Sequence, residues 1–505
     1  MTASPEQLVS GFLSEYQLSK SYSRNRISAL GELAVSEDPR VVESATRALF
    51  KSLIERLADS FEPESVSLYN RVFSQLTQTF RRDARAKPLD SELTNFSLDS
   101  EEEMLARAES LRQIRKLERL LDRNQSLKCV LVLSRVTLGA DVAITSVILE
   151  RMKLLFPSTE IILLGGSKST ELFGGDSRVR LEEITYRRGG TTIERLLAWT
   201  ELVDRVRTLT KDLTGGEYLV IDPDTRLTQL GLLPLVNETD SSQSDYGDRP
   251  NYFFFPSREY GHETSLSLAE LSSAWLDQVF GENEPSYPRI SLNRIDIESV
   301  RKLTSQLRNP AGDKAKRRIV AINFGTGGNA FKSVSESFEA SIVSHFIREG
   351  FAVVFDKGSG DEEARRAEAV LAEATSIERN GNRASLLEIN EHNLSEALSS
   401  ERLDADILVW DGRIGMLAAL IGESDLYIGY DSAGQHIAAA LGVPCIDIFA
   451  GASSPRMLDR WKPKGKGDTR VIPVDTRAGS RERDLSVQVF RVAEELLKLN
   501  RVRHQ

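Results

Sequence analysis

Apolar positions in residues 1–125 recur at helical spacing. Val42, Leu49, Leu53 and Leu57 fall on one face, and Leu49, Phe50, Leu53, Ile54 and Leu57 together make a broad stripe. The stretch is poor in glycine and predicts an all-helical segment. Its clearest helix starts after Ser100, which with Glu103 has the spacing of a capping box, while Glu101 to Glu103 suit the positive helix end. Leu111, Ile114, Leu117 and Leu121 continue one apolar face of that helix, which should bury against a neighbour. From Lys128 the pattern changes to short apolar runs, KCVLVLS, EIILLGG, EYLVID and NYFFFP, separated by helical stretches such as 146–156. That alternation predicts parallel strands joined by crossover helices. It restarts with RRIVAINF, FAVVFDK, DILVW, DLYIGY and CIDIFA and closes with an amphipathic helix around 487–499.

The polar tract 237–249 (NETDSSQSDYGDR) reads as a loop inside the first alternating region, and 281–288 (GENEPSYP), with two prolines among acidic residues, reads as a hinge. The chain therefore divides into a helical extension, 1–125, a first Rossmann-like α/β domain, 126–284, and a second, 285–505. The α/β halves carry their own apolar strands, which predicts that they fold without the helical segment.

Composition narrows the class. A length of 505 residues, 40% of them apolar, suits two to four globular domains. Lys and Arg number 65 against 75 Asp and Glu, a net charge of −10 with no long basic run, which argues against nucleic acid as a main partner. The two cysteines, Cys129 and Cys445, enter apolar runs and exclude a disulfide framework, as expected of a cytoplasmic protein. Five histidines show no HExxH or other ligand spacing, so no dedicated metal site is expected. The most apolar stretch, 437–450, is interrupted by Pro444 and Asp447, and the N-terminus lacks a signal-peptide pattern; neither a membrane span nor a leader is expected.

Five segments carry residues suited to chemistry. In SDLYIGYDSAGQHIAAALGVPCIDIF a strand ends at Tyr430, Asp431 or Ser432 can cap a short helix, and Gly442 and Pro444 stop it. Free N–H groups at such a helix start suit a diphosphate, and the small residues Ser432, Ala433 and Gly434 allow close approach. His436 reads equally as an ordinary half-buried residue. In INFGTGGNAFKS a strand ending at Asn323 enters a turn with Gly325, Gly327 and Gly328, followed by Lys332, whose ammonium can neutralise a diphosphate; the G-K-S/T junction of a Walker A loop is missing. VLVLSRVTLGADVAITS places Asp141 where it can cap the next helix. FDKGSGDEEARRAEA puts Asp361, Glu362 and Glu363 in a helix first turn, where acids suit the dipole. EYLVIDPDTRL contains a D-P-D spelling that invites a metal reading of Asp222 and Asp224.

The string D-S-x-x-x-H-x-A-A-A-L-G-x-P at 431–444, followed by Phe449, Gly451 and Pro455, resembles glycosyltransferase family 9, the ADP-heptose:lipopolysaccharide heptosyltransferases. The other four segments match the family in order, so the resemblance spans 128–463 and omits the helical extension. Departures are Ala140, which splits the family's Gly-Asp pair, and Ala433 and Gly434 where the family has Gly and an apolar residue. The resemblance implies a GT-B architecture, two Rossmann-like domains facing a cleft, with acceptor on the N-terminal side and nucleotide-sugar on the C-terminal side. It implies Asp141 as catalytic base, with Lys332 and the 431–436 helix start on the diphosphate. Glu362, with Glu363 next, would contact the donor nucleoside, and Gly139, Asp222 and Arg226 would face the acceptor.

The implied activity is metal-independent, inverting transfer of a sugar from a nucleotide-diphosphate donor, ADP-heptose in the family, to a glycolipid or oligosaccharide acceptor. No cofactor besides that substrate is implied. The place would be the cytoplasm or the inner face of the membrane, with the helical extension serving oligomerisation or partner binding. Two alternatives stay open: a GT-B protein that binds nucleotide-sugars without turnover, and a sugar-nucleotide epimerase.

Overall fold

The computed structural model describes residues 3–114, 116, 127–186, 189–236, 251–309, 316–376, 378–379, 382–400, 403, 405–452, 454–474 and 482–503. The tract 237–249 and the stripe positions Leu117 and Leu121 lie outside them, apart from which the predicted alternation is present as two parallel sheets. The first comprises β1 (Cys129–Leu133), β2 (Glu160–Gly165), β3 (Val179–Glu183), β4 (Tyr218–Asp222) and β5 (Tyr252–Phe254), in the order β3-β2-β1-β4-β5. The second sheet contains β6 (Ile319–Asn323) and β7 (Ala352–Asp356). After a short hairpin, β8 (Glu378–Arg379) and β9 (Asn382–Arg383), it adds β10 (Leu386–Asn390), β11 (Ile407–Asp411), β12 (Leu426–Tyr430), β13 (Cys445–Ala450) and β14 (Thr469–Val474). Its order is β10-β11-β7-β6-β12-β13-β14. Every residue of β1, β6, β12 and β13 is buried, as the continuous apolar runs require of strands covered on both faces. In each sheet the strand order reverses at its first strand, which places a crevice at the carboxyl ends of β1/β4 and of β6/β12.

The helical segment forms as expected, including the capping box. Ser100 N donates to Glu103 Oε2 at 2.8 Å and Glu103 N to Ser100 Oγ at 3.2 Å, although the helix, Glu101–Ser110, ends just before Leu111. The segment is not separable from the first α/β domain. Leu30, Leu49, Leu53 and Phe73 belong to the same apolar cluster as Leu131 and Leu133 of β1, Leu164 of β2 and Trp199 of the helix Thr192–Thr210. Phe96 packs on Trp199 with ring centroids 6.0 Å apart, and Arg195 lies 3.7 Å over the Phe50 ring. The expectation of α/β halves that fold alone is therefore corrected: helix periodicity shows that a face is buried, not against which domain.

The α/β domains meet through charged and backbone contacts. The helix Pro455–Trp461 sends the Arg460 guanidinium to the carbonyls of Gly261 (2.7 Å) and Thr264 (3.1 Å) in the first domain. Gly415 N donates to Glu171 Oε2 at 2.8 Å. Among the described residues no helix is long and apolar enough to cross a membrane.

Candidate functional site

At the β1/β4 crevice the protein fills its own site. Asp141 is 1% exposed, and its carboxylate accepts from Ser134 Oγ (2.6 Å), Arg135 N (2.7 Å) and Thr145 Oγ1 (2.8 Å). Burial pushes it above the ordinary carboxylate range, against those three bonds. A carboxylate so enclosed has no open approach for an acceptor hydroxyl, so the expectation that Asp141 is the base is corrected: it ties the strand end to the helix. The inserted Ala140 accounts for this. Gly139 faces the second domain, Ala140 comes next at 2% exposure, and Asp141 stands about 200° round from Gly139. The extra residue is absorbed as a wide turn, in which Ser146 N bonds Asp141 O five residues back.

Asp222 is likewise sealed, at 0% exposure, and so is not at the inter-domain face. It accepts from Thr225 N (2.9 Å), Thr228 Oγ1 (2.6 Å) and Tyr252 OH (2.7 Å). Asp224 turns instead to Ser257 Oγ (2.9 Å) and Arg258 Nε (3.0 Å), so the D-P-D carboxylates engage different partners. Arg226 is half-buried and faces Asp59, Glu55 and Tyr69 of the helical segment. Arg135, not singled out in the sequence, is anchored beside it by Pro223 O at 2.7 Å and Ser257 Oγ at 2.6 Å.

The second domain leaves its strand ends open. Above β6 and β7 lies a cavity of about 530 Å³ bordered by Phe324, Gly325, Asp356, Glu362, Glu363 and Arg366. That volume lies within the ligand-pocket range of roughly 300–1,000 Å³. Asn323 does not point free into it: its amide donates to Asp356 Oδ2 at 2.7 Å and accepts from Gly325 N at 2.8 Å. Burial raises Asp356 to about 7. Gly327 and Gly328 have φ of 62° and 80°, the left-handed region that favours glycine. The N–H groups of Thr326 and Gly327, expected to cradle a phosphate, bond Glu363 Oε1 at 2.8 and 2.9 Å, and Ser359 N bonds Glu363 Oε2 at 2.9 Å. Glu363 thus orders both loops, while Glu362 borders the cavity without such a bond.

Lys332 and the helix Ala433–Leu441 come together as expected. Lys332 Nζ lies 2.5 Å from Asp431 Oδ2; burial works against the charge, but Asp431 holds its pKa above the ordinary lysine value. Asp431 is steadied by Gln435 Nε2 at 3.0 Å, and Gln435 Oε1 accepts from Ser432 N at 2.8 Å. Gly451 has φ of 69°, and a Cβ there would come within 2.3 Å of Phe331 O, so the F-x-G element seats the turn that presents Lys332. Gly434 is required because a Cβ would meet the Tyr427 hydroxyl at 2.0 Å. His436 is 4% exposed and burial lowers its pKa to about 4, leaving a neutral ring packed on Trp461 with centroids 6.0 Å apart. A Cβ on Gly139 would lie 3.2 Å from His436 Cδ2 and 3.5 Å from Ala433 Cα, so the first domain's loop rests on this helix start.

Residues 411–476, which include β12, the Asp431–His436 start and β13, match the family model described as glycosyltransferase family 9 (heptosyltransferase). The chain is similar to glycosyltransferase family 9. That family is one of glycosyltransferases, and the match falls on the part of the chain that holds Lys332's partner. A family 9 glycosyl transferase of known structure from Veillonella parvula superposes with TM-score 0.51 at 16% identity, over 74% of this chain and 98% of its own, which shows a shared GT-B fold. The E. coli ADP-heptose LPS heptosyltransferase II aligns at 15% identity with TM-score 0.46, over 74% of this chain and 99% of its own. No curated protein matches the chain in sequence.

Proposed function

We propose that the protein is an inverting glycosyltransferase that moves a sugar from a nucleotide-diphosphate donor, ADP-heptose by its family likeness, to a glycolipid or oligosaccharide acceptor. The observation that carries this is the open cavity of about 530 Å³ at the ends of β6 and β7, next to the turn that brings Lys332 to Asp431 in the family-matched segment. The nucleoside would occupy the cavity, and the diphosphate would lie toward Lys332 and the 431–436 helix start. A lysine held charged beside the leaving diphosphate stabilises the negative charge that develops as the C1–O bond breaks. The reaction would take place in the cytoplasm or at the inner face of the membrane, where a glycolipid acceptor presents its sugar.

The sealed Asp141 favours a second reading, nucleotide-sugar binding without turnover. A panel of ADP-, GDP-, UDP- and dTDP-sugars, assayed with and without a lipopolysaccharide-core acceptor, separates the two. Turnover only with acceptor is expected. Binding without turnover establishes the second reading, and turnover without acceptor points to an epimerase. Lys332→Ala is expected to slow transfer at least ~10²-fold, and activity should persist in EDTA.

A further inference from the structure

One turn of the helical segment crosses to the second domain. After the helix Glu55–Ala58 the chain passes through Asp59 to Glu62 before the helix Pro63–Phe80. Phe61 takes φ of 56°, unusual for a bulky residue, and is 2% exposed, its ring 6.2 Å from Trp461, the same ring that packs on His436. Glu62 Oε1 lies 3.2 Å from Arg456 Nε. The turn is thus pinned on both sides against the wall of the donor-side helix start, and local strain at Phe61 is held by that packing.

Asp59 is presented by this turn. It is half-buried and, among the described residues, its carboxylate has neither a hydrogen bond nor an ion pair, while Arg226 and Arg135 of the first domain and Lys332 of the second face it. It also closes a helix C-terminus, where an acidic side chain is disfavoured by the dipole, so helix formation does not explain it. The other aspartates described around the cleft are engaged: Asp141 and Asp222 by three hydrogen bonds each, Asp224 by Arg258, Asp431 by Lys332.

We propose that Asp59, contributed by the helical segment, is the general base of the transfer. This rests on the glycosyltransferase reading. The acceptor hydroxyl oxygen attacks the donor C1, its proton passes to the Asp59 carboxylate, and the C1–O bond to the diphosphate breaks with its electron pair leaving on the nucleoside diphosphate, opposite Lys332. Asp59 lies among cations of both α/β domains, as a group acting where acceptor and donor meet must, and its partial exposure admits the hydroxyl that Asp141 excludes.

The test uses the full chain, the donor that the nucleotide-sugar panel shows to be turned over, and ADP as binding probe. Asp59→Asn is expected to lower kcat at least ~10²-fold with ADP affinity within about threefold of wild type, and Asp59→Glu to recover part of the loss. Formate should restore transfer in Asp59→Ala, a rescue that a merely structural role would not show and that holds even if Asn disturbs packing. Wild-type kcat in Asp59→Asn, or Asp59→Ala that formate leaves silent, overturns the assignment while leaving the glycosyltransferase reading intact. A wild-type protein that turns over no donor of the panel overturns both.

Discussion

The two α/β domains share a parallel topology with reversal at the first strand, yet they use the resulting crevices in opposite ways. At β1/β4 the polar residues satisfy one another: Asp141 and Asp222 are 1% and 0% exposed and spend their oxygens on Ser134, Thr145, Thr225, Thr228 and Tyr252. At β6/β7 a cavity of about 530 Å³ stays open because Glu363 and Asn323 tie the loops to each other rather than across the opening. A buried carboxylate is tolerated only with its hydrogen bonds made, and once they are made inside the domain it has none left for a substrate. Topology therefore offers a site in both places, and side-chain satisfaction decides which is used. The closed crevice becomes a platform on which a third element, the helical segment, rests.

The largest effect should come from taking that element away. Deleting residues 1–125 exposes Leu131, Leu133 and Leu164 on the first sheet and Trp199 beside it, and the product is expected to be insoluble or to lack a near-ultraviolet circular dichroism signal. A soluble, cooperatively melting product would mean that the first domain's core is complete without the helices.

The contrast between crevices is sharpened by a pair of substitutions. Asp222→Ala leaves the hydroxyls of Thr228 and Tyr252 and the N–H of Thr225 unpaired, at about 1–3 kcal/mol each, so the melting temperature should fall by several degrees or the protein fail to fold, with ADP affinity unchanged in whatever folds. Glu363→Ala should do the reverse. It frees three backbone N–H groups beside the open cavity, lowering ADP affinity at least ~10-fold by calorimetry for a small change in stability. Equal effects of the two on binding would erase the distinction between the crevices.

A smaller effect is expected at Gly451. Its φ of 69° and the 2.3 Å approach that a Cβ would make to Phe331 O should make Gly451→Ala cost about 1–3 kcal/mol and displace the Lys332 turn, read as a lowered melting temperature with weaker ADP binding.

The smallest effect is a slope with pH. Asp356 is raised from 3.8 to about 7 in the folded protein, so between those values the folded state keeps a proton that the unfolded chain releases. Stability from this group is therefore lost as pH rises through that window, and Asp356→Asn should flatten the decline in denaturation midpoint between pH 5 and about 7. An unchanged slope would mean that the open crevice does not hold a protonated acid.

Local pattern by itself determined the two parallel sheets, the capping box at Ser100 and the meeting of Lys332 with the Asp431 helix start, because period, caps and strand-end loops are properties of short stretches of chain. It also exposed the Ala140 insertion, but not its effect. Whether an extra residue lengthens a loop or widens a helical turn depends on what the loop abuts, and here Gly139 is held against Ala433 and His436. Tertiary structure alone decided that Asp141 and Asp222 are sealed, that Glu363 rather than a ligand takes the glycine-loop N–H groups, and that Asp59 stands among Arg226, Arg135 and Lys332. Those outcomes depend on groups far apart in sequence competing for the same hydrogen bonds and charges, and burial settles that competition only once the three parts of the chain have packed together.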